Sequence, residues 1–220
     1  MMGKPPDPHD LPPACADLAG RRVLFVMAAE PEYGPALRAR IDPLMTGIGP
    51  IEAAIRGALA LDALARGPGL PDLVVSLGSA GSRVCAVGAV FQVASVSWRD
   101  IDASPFGFAK GVTPLVDHPV DVPLVTPLPL PAARLSSGGK VISGEEYAGI
   151  DAEMVDMETF AIARVCHMFG VPLMGLRGIS DGPEPPTGLH TWTDLLGHLD
   201  AELARAVDML PAALARAPNA

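Results

Sequence analysis

The feature that most constrains this chain is its unbroken apolar runs, Val23-Leu24-Phe25-Val26-Met27 and the stretch from Pro172 to Ile179. A strand with one wet face alternates apolar and polar side chains. A run without alternation is covered on both faces, as in sheets with helices on either side. A third run, Asp72-Leu73-Val74-Val75-Ser76-Leu77, leads into Gly78-Ser79-Ala80-Gly81, read as a tight turn, and a further strand is expected from about Ala89 to Trp98. Helices are expected from Pro31 to about Arg40 with Pro31 at N1, over Ile51 to Ala65, from Glu158 to Phe169, and over about Thr191 to Leu214. In the last, Leu195, Leu199, Leu203 and Val207 recur at helical spacing. Shorter elements are expected at Leu44-Met45, at Lys140 to Gly144 as a strand into a turn, and at Met154 to Met157. Six prolines between 114 and 131 leave room there for one edge strand at most. Strands alternating with helices define a single α/β domain over 19–220, a mixed central sheet flanked by helices. Residues 1–18, proline-rich and aperiodic, read as a flexible arm.

Charge and cysteine usage narrow the function classes. Over 220 residues, 16 Lys+Arg stand against 25 Asp+Glu, a formal net charge of −9. A nucleic-acid partner needs clustered cations to neutralise phosphates, so such a partner is not expected. Cys15, Cys85 and Cys166 are odd in number and form no CxxC pair, which gives neither a disulfide framework nor a metal knuckle. His118, His167, His190 and His198 have no ligand spacing, so no metal site is expected either. No apolar run reaches a membrane span, and the N-terminus carries Asp7, Asp10 and prolines where a signal peptide needs an apolar core. A cytoplasmic location, with no membrane contact, is the expectation.

In open α/β sheets ligands collect at the carboxyl ends of strands. Such ends here carry Glu30 and Glu32, the Gly78–Gly81 segment, Asp156 with Glu158, and Ser180 with Asp181. Each has an ordinary structural explanation. The glycines suit a tight turn, Glu158 offsets a helix N-terminus, and Asp181 before Gly-Pro is a good turn or cap residue. Their convergence is the signal. Arg177 is more demanding, because a guanidinium inside Leu173-Met174-Gly175-Leu176-Arg177-Gly178-Ile179 needs a carboxylate partner, with Asp181 or Glu158 as candidates. The Gly78–Gly81 segment is neither GxGxxG nor a P-loop, so no dinucleotide or nucleoside triphosphate cofactor is expected.

The strings AAEPE (28–32), TGIGP (46–50), LGSAG (77–81), RDIDASPFGF (99–108), ISGEEY (142–147), VDMETFAIARVCHMFGVP (155–172) and RGISD (177–181) stand in one order. Together they resemble the methylthioadenosine/S-adenosylhomocysteine nucleosidase family, within the nucleoside phosphorylase superfamily. The resemblance covers about Val23 to Leu210. It implies a nucleoside phosphorylase-like fold and hydrolysis of the N-glycosidic bond of a 5′-thio-substituted adenosine, with release of adenine. By motif, Glu32 would activate the attacking water, while Glu158 and Met157 would bind the ribose. Asp181 would give a proton to the purine near N7, supported by Ser180 and Arg177. Ser79 and Gly81 would lie near sugar and water, and Tyr147 would stack on the purine. Phe106 and Pro114 would be lent to the 5′ pocket of a second copy, which implies a homodimer. No cofactor is implied.

Elementary chemistry agrees with this assignment. Glycosidic cleavage passes through an oxocarbenium-like state that nearby carboxylates stabilise, and a purine anion leaves only with a proton. Asp181 is therefore expected to be held protonated while Glu32 stays ionised. The chain departs from the family pattern in having only 13 residues between Glu32 and Thr46, as if a hairpin were missing. It also has Arg99 where a histidine is usual, and Ser82-Arg83 after the glycine segment. The main rival is a purine nucleoside phosphorylase, which needs a cationic phosphate site. The superfamily's arginine for that site falls on Ser76 here, with Arg83 the only substitute. A non-catalytic nucleoside-binding protein is the other rival, and it would not need Glu32, Glu158 and Asp181 together.

Overall fold

In the central strands, alternate side chains enter two different cores. The computed structural model describes residues 12–182, 193 and 195–216. Its strands are β1 (Ala16–Leu18), β2 (Arg21–Met27), β3 (Leu44–Met45), β4 (Leu73–Gly81), β5 (Val90–Trp98), β6 (Asp121–Pro123), β7 (Ala132–Ser137), β8 (Met154–Asp156) and β9 (Leu173–Asp181). The helices are α1 (Pro35–Arg38), α2 (Pro50–Arg66), α3 (Thr159–Phe169) and α4 (Leu196–Arg216). From β2, Leu24 and Val26 join Val74 of β4, Leu61 and Leu64 of α2 and Ile162 and Val165 of α3. Val23, Phe25 and Met27 face the opposite way, onto Leu203, Val207 and Leu210 of α4. This is why the apolar runs do not alternate: each face of the sheet carries a helical layer.

The nine strands form one mixed sheet. β2 pairs parallel with β3 and β4, and β4 pairs parallel with β9 from Val74↔Leu173 to Gly81↔Asp181. β9 then pairs antiparallel with β5, β5 parallel with β7, and β7 parallel with β8. β8 returns to β4 through Gly81↔Val155. The path β4-β9-β5-β7-β8 thus closes on itself, and closure brings the ends of β4, β8 and β9 together. Gly57 lets α2 approach α3, since a Cβ there would stand 3.3 Å from Ile162 Cδ1. Among the described residues no helix is long and apolar enough to cross a membrane.

Four expectations about elements need correction. The arm does not extend to residue 18, because Ala16–Leu18 pair with β2 through a two-residue hairpin whose Ala19 and Gly20 have φ of 55° and 79°. Ala-Gly lacks the Asn-Gly or Asp-Gly signal that such turns usually carry. Residues 1–11 lie outside the described residues. The Gly78–Gly81 segment is not a turn but the end of β4, drawn into the ladder by β9. Lys140 to Gly144 is no strand; the strand is Ala132–Ser137, weak in β-propensity and formed between β5 and β8. The helix expected from Pro31 is broken into a 3-10 turn at Glu30–Glu32 and the short α1. Here the segment between Glu32 and Thr46 supplies α1 and β3 in place of a hairpin.

That short helix is held by α4. Asp200, buried, accepts hydrogen bonds from the backbone N–H groups of Ala36 at 2.8 Å and Leu37 at 2.9 Å. A Cβ on Gly34 would stand 2.5 Å from its Oδ2, so glycine is needed there for space. Asp200→Ala leaves two enclosed donors without an acceptor and is expected to cost about 3 kcal/mol, read as a lower urea midpoint at unchanged slope.

Candidate active site

A cavity of about 480 Å³ opens where β2, β4, β8 and β9 end, within the range of small-ligand sites. Glu32, Glu158 and Asp181 all line it, together with Ser79, Gly81, Met157, Arg177 and Ser180.

Glu32 reaches the cavity from the 3-10 turn that follows β2, and it is buried. Its Oε1 accepts from the Ser79 N–H at 2.8 Å and from Ser79 Oγ at 2.5 Å. Oε2 lies over Gly78, where a Cβ would stand 3.1 Å away. The glycine in β4 is therefore a spatial requirement of the acid beside it. Burial pushes the Glu32 carboxyl above its ordinary value, against the pull of the two Ser79 hydrogen bonds. A carboxyl whose pKa is raised is the stronger base once ionised.

Glu158 is the N-cap residue of α3, and its Oε1 accepts from the Gly49 N–H at 2.7 Å, at the N-terminus of α2. The N-terminus of α2 thus holds a carboxyl carried at the N-terminus of α3. Burial first, and the field of Asp156 second, raise its pKa to about 7. Asp181 closes β9, with Oδ1 accepting from Ser180 Oγ at 2.6 Å. A Cβ on Gly81 would collide with the Tyr147 hydroxyl and stand 2.8 Å from Asp181 Oδ2. Gly81 keeps that space open.

Arg177 is 2% exposed, and its partner is Asp156 rather than Asp181 or Glu158. Its Nε and Nη2 reach Asp156 Oδ2 at 3.2 and 3.1 Å. Nη2 also donates to Ser76 Oγ at 2.9 Å and Thr159 Oγ1 at 2.6 Å, and Nη1 to the Ser76 and Leu176 carbonyls. Asp156 further accepts from Ser137 Oγ at 2.5 Å, from the Thr159 N–H at 3.1 Å and from the Thr159 hydroxyl. Sequence reasoning placed Asp156 at a strand end but not against the arginine, because only the β4–β8–β9 closure brings them together. It also missed Thr159 and Ser137.

Among the described residues, the cations lining the cavity are Arg99, Lys140 and Arg177, and each has protein oxygens as partners, although Arg99 Nε has none among them. Arg99 donates to the carbonyls of Ser136, Gly138, Lys140 and Asp156, and its Nε is enclosed. Lys140 pairs with Glu146. Ser76 is buried and serves Arg177, while Arg83 is exposed and does not line the cavity. The residues expected to carry a phosphate site therefore do not form one.

Three expected site residues do not line the cavity. The Tyr147 ring is buried in a small cluster with Ile142 and Val155, and Val141, Ile142 and Val155 form the apolar wall instead. Its 3-10 turn, Gly144–Gly149, rolls the ring inward behind Gly81. Phe106 is 85% exposed, and Pro114 is half-buried on the same proline-rich excursion.

Comparison with known proteins bears on the fold and the family. A family model described as the phosphorylase superfamily matches residues 140–214. The 5′-methylthioadenosine/S-adenosylhomocysteine nucleosidase of Actinobacillus succinogenes is 31% identical over 166 residues, 66% of this chain and 70% of that protein. Its counterpart from Haemophilus influenzae is 34% identical over 158 residues, 63% of this chain and 67% of the other. A nucleosidase of the same description from Colwellia psychrerythraea, solved with adenine, superposes with a TM-score of 0.72 at 21% identity, covering 90% of this chain and 96% of that one. The Streptococcus pneumoniae enzyme, solved with a transition-state inhibitor, gives 0.72 at 18% identity, covering 88% and 98%. The fold is that of these solved nucleosidases, and the superfamily model matches the chain's C-terminal third. Within that superfamily, the chain belongs to the 5′-methylthioadenosine/S-adenosylhomocysteine nucleosidase family.

Two outcomes follow from the buried charges. Asp156→Ala leaves the Arg177 guanidinium without its counter-charge and is expected to cost about 3–5 kcal/mol in urea unfolding. Glu32 and Glu158 both have folded-state pKa values above their ordinary 4.5. Each therefore favours folding below that value, and the contribution is lost as pH rises through the folded value, about 7 for Glu158. Unfolding at about pH 5 and about pH 8 is expected to show a smaller loss of stability in Glu158→Gln than in the unaltered chain.

Proposed function

We propose that the chain hydrolyses the N-glycosidic bond of 5′-methylthioadenosine and S-adenosylhomocysteine, releasing adenine and a 5-thio-substituted ribose. One observation carries the reading. Glu32, Glu158 and Asp181 share a cavity whose lining cations, among the described residues, each already contact protein oxygens, which favours water over phosphate as the nucleophile. Glu32 takes a proton from the attacking water, Ser79 fixing its orientation through Oε1. Glu158 and Met157 hold the ribose hydroxyls, and the carboxyls beside the sugar offset charge developing on its ring. Asp181, oriented by Ser180, delivers a proton to N7 as the bond to the sugar breaks. The apolar wall of Met27, Ile48 and Met157 suits a thioether substituent.

The working form is proposed to be a homodimer in the cytoplasm. Ile51, Ile55 and Leu59 stand exposed on one face of α2, Ile48 is exposed at the cavity, and Phe106 and Leu115 are exposed on the proline-rich excursion. An apolar surface of this kind supports contact with a second copy, whose Phe106 and Pro114 would complete the 5′ pocket.

Adenine release from methylthioadenosine, followed with and without inorganic phosphate, tests the reading. Equal release in both, with free methylthioribose as the other product, is expected. Release only with phosphate, giving a sugar 1-phosphate, would overturn it. Asp181→Asn is expected to lower kcat by about 10²–10⁴-fold with a much smaller change in KM, and Glu32→Gln to abolish turnover while inhibitor still binds.

A further inference from the structure

Tyr147 carries a hydroxyl that its surroundings do not explain. The residue is 3% exposed, packed with Ile142 and Val155, and its Oη is enclosed without a hydrogen-bond partner among the described residues. A phenylalanine would fill the same space without the cost of an unsatisfied buried hydroxyl. The hydroxyl is also aimed. It and Asp181 Oδ2 converge on the bare Cα of Gly81, where a Cβ would collide with the first and stand 2.8 Å from the second. The other oxygen of Asp181 is taken, Oδ1 accepting from Ser180 at 2.6 Å.

We propose that the Tyr147 hydroxyl is a positioning group for the acid, donating a hydrogen bond to Asp181 Oδ2 as the proton of that carboxyl passes to the purine. The inference rests on the nucleosidase reading above. In the step, the Asp181 O–H bond breaks and an N7–H bond forms, while the O–H electron pair stays on the carboxylate. The phenol keeps its own proton and turns it toward the oxygen that has become negative. Before transfer this bond is weak. It strengthens only as charge develops, so it favours the transition state over the bound substrate.

Burial and the Asp181 field push the Tyr147 phenol up to about 12, so it remains a donor over the working range. The charged groups around it are Asp181 from β9 and Arg99 from the end of β5. Glu146, on its own turn, is paired with Lys140. β4 and β8 face it with Gly81 and Val155, neither of which titrates. Gly81 is then the residue that makes the arrangement possible, its missing side chain being the passage between phenol and acid.

Tyr147→Phe is the test, with steady-state adenine release measured over about pH 5–9 and thermal unfolding read on the same samples. The variant is expected to lose about 10-fold in kcat with KM within about two-fold, the loss of one charge-assisted hydrogen bond. The alkaline limb of its kcat profile should move to higher pH, because the ionised acid has lost a donor. Its Tm should rise by about 2–4 °C as the unsatisfied hydroxyl disappears. Unchanged kcat and an unchanged limb alongside the higher Tm would overturn the inference, and so would a raised KM at native kcat. Asp181→Asn, run in parallel, separates the two readings. Native turnover in that variant removes the acid role and this inference with it. An inactive Asp181→Asn beside an unaltered Tyr147→Phe overturns this inference alone.

Discussion

The buried contact between Arg177 and Asp156 is the constraint on which the rest of the site depends. It joins β9 to β8, and through Ser76 and Thr159 it reaches β4 and α3. A guanidinium this deep is tolerable only when every donor is used, and here each of its three nitrogens donates to an oxygen of the protein. That saturation fixes the strand ends from which Glu158 and Asp181 project. It also occupies the most deeply buried of the cations that line the cavity, so one structural device contributes to the geometry of the site and to its electrostatics.

Desolvation supplies the reactivity. Two of the acids lining the cavity, Glu32 and Glu158, are held by neutral donors (Ser79 for one, the Gly49 N–H for the other) rather than by a cation in direct contact. Neutral donors orient a carboxyl without fully offsetting the loss of water, which leaves both groups raised. For Glu158 the raised value is about 7, so that group exchanges its proton near neutrality. The convergence of the two acids costs folding stability at neutral and alkaline pH, and the two cores on either side of the sheet must offset it.

Small residues in β4 have a role that differs from the one their sequence suggests. Gly78 and Gly81 read as turn residues, yet both lie in the β4 strand paired with β9, Gly81 just past a register shift after Ala80. What they supply is space, for Glu32 against Gly78 and for Tyr147 and Asp181 against Gly81. A glycine needed for its backbone conformation and one needed for its missing side chain look alike in a sequence. The crossing element tells them apart, and it lies 47 residues away for Glu32 and Ser79.

The sequence by itself determined the layered α/β architecture, because non-alternating runs such as Val23–Met27 require cover on both faces. It also determined the order of motifs that carries the family, and which carboxyls, Glu32, Glu158 and Asp181, meet at the strand ends. Tertiary structure alone decided the partner of Arg177, the engagement of Arg99 and Lys140, the inward turn of Tyr147 and the raised carboxyls. Those are outcomes of strand closure, which sets residues far apart in the chain against one another and excludes water from between them. Local sequence specifies which elements form and which faces they bury. Distances between functional groups, and the solvent they lose, exist only once the sheet has closed.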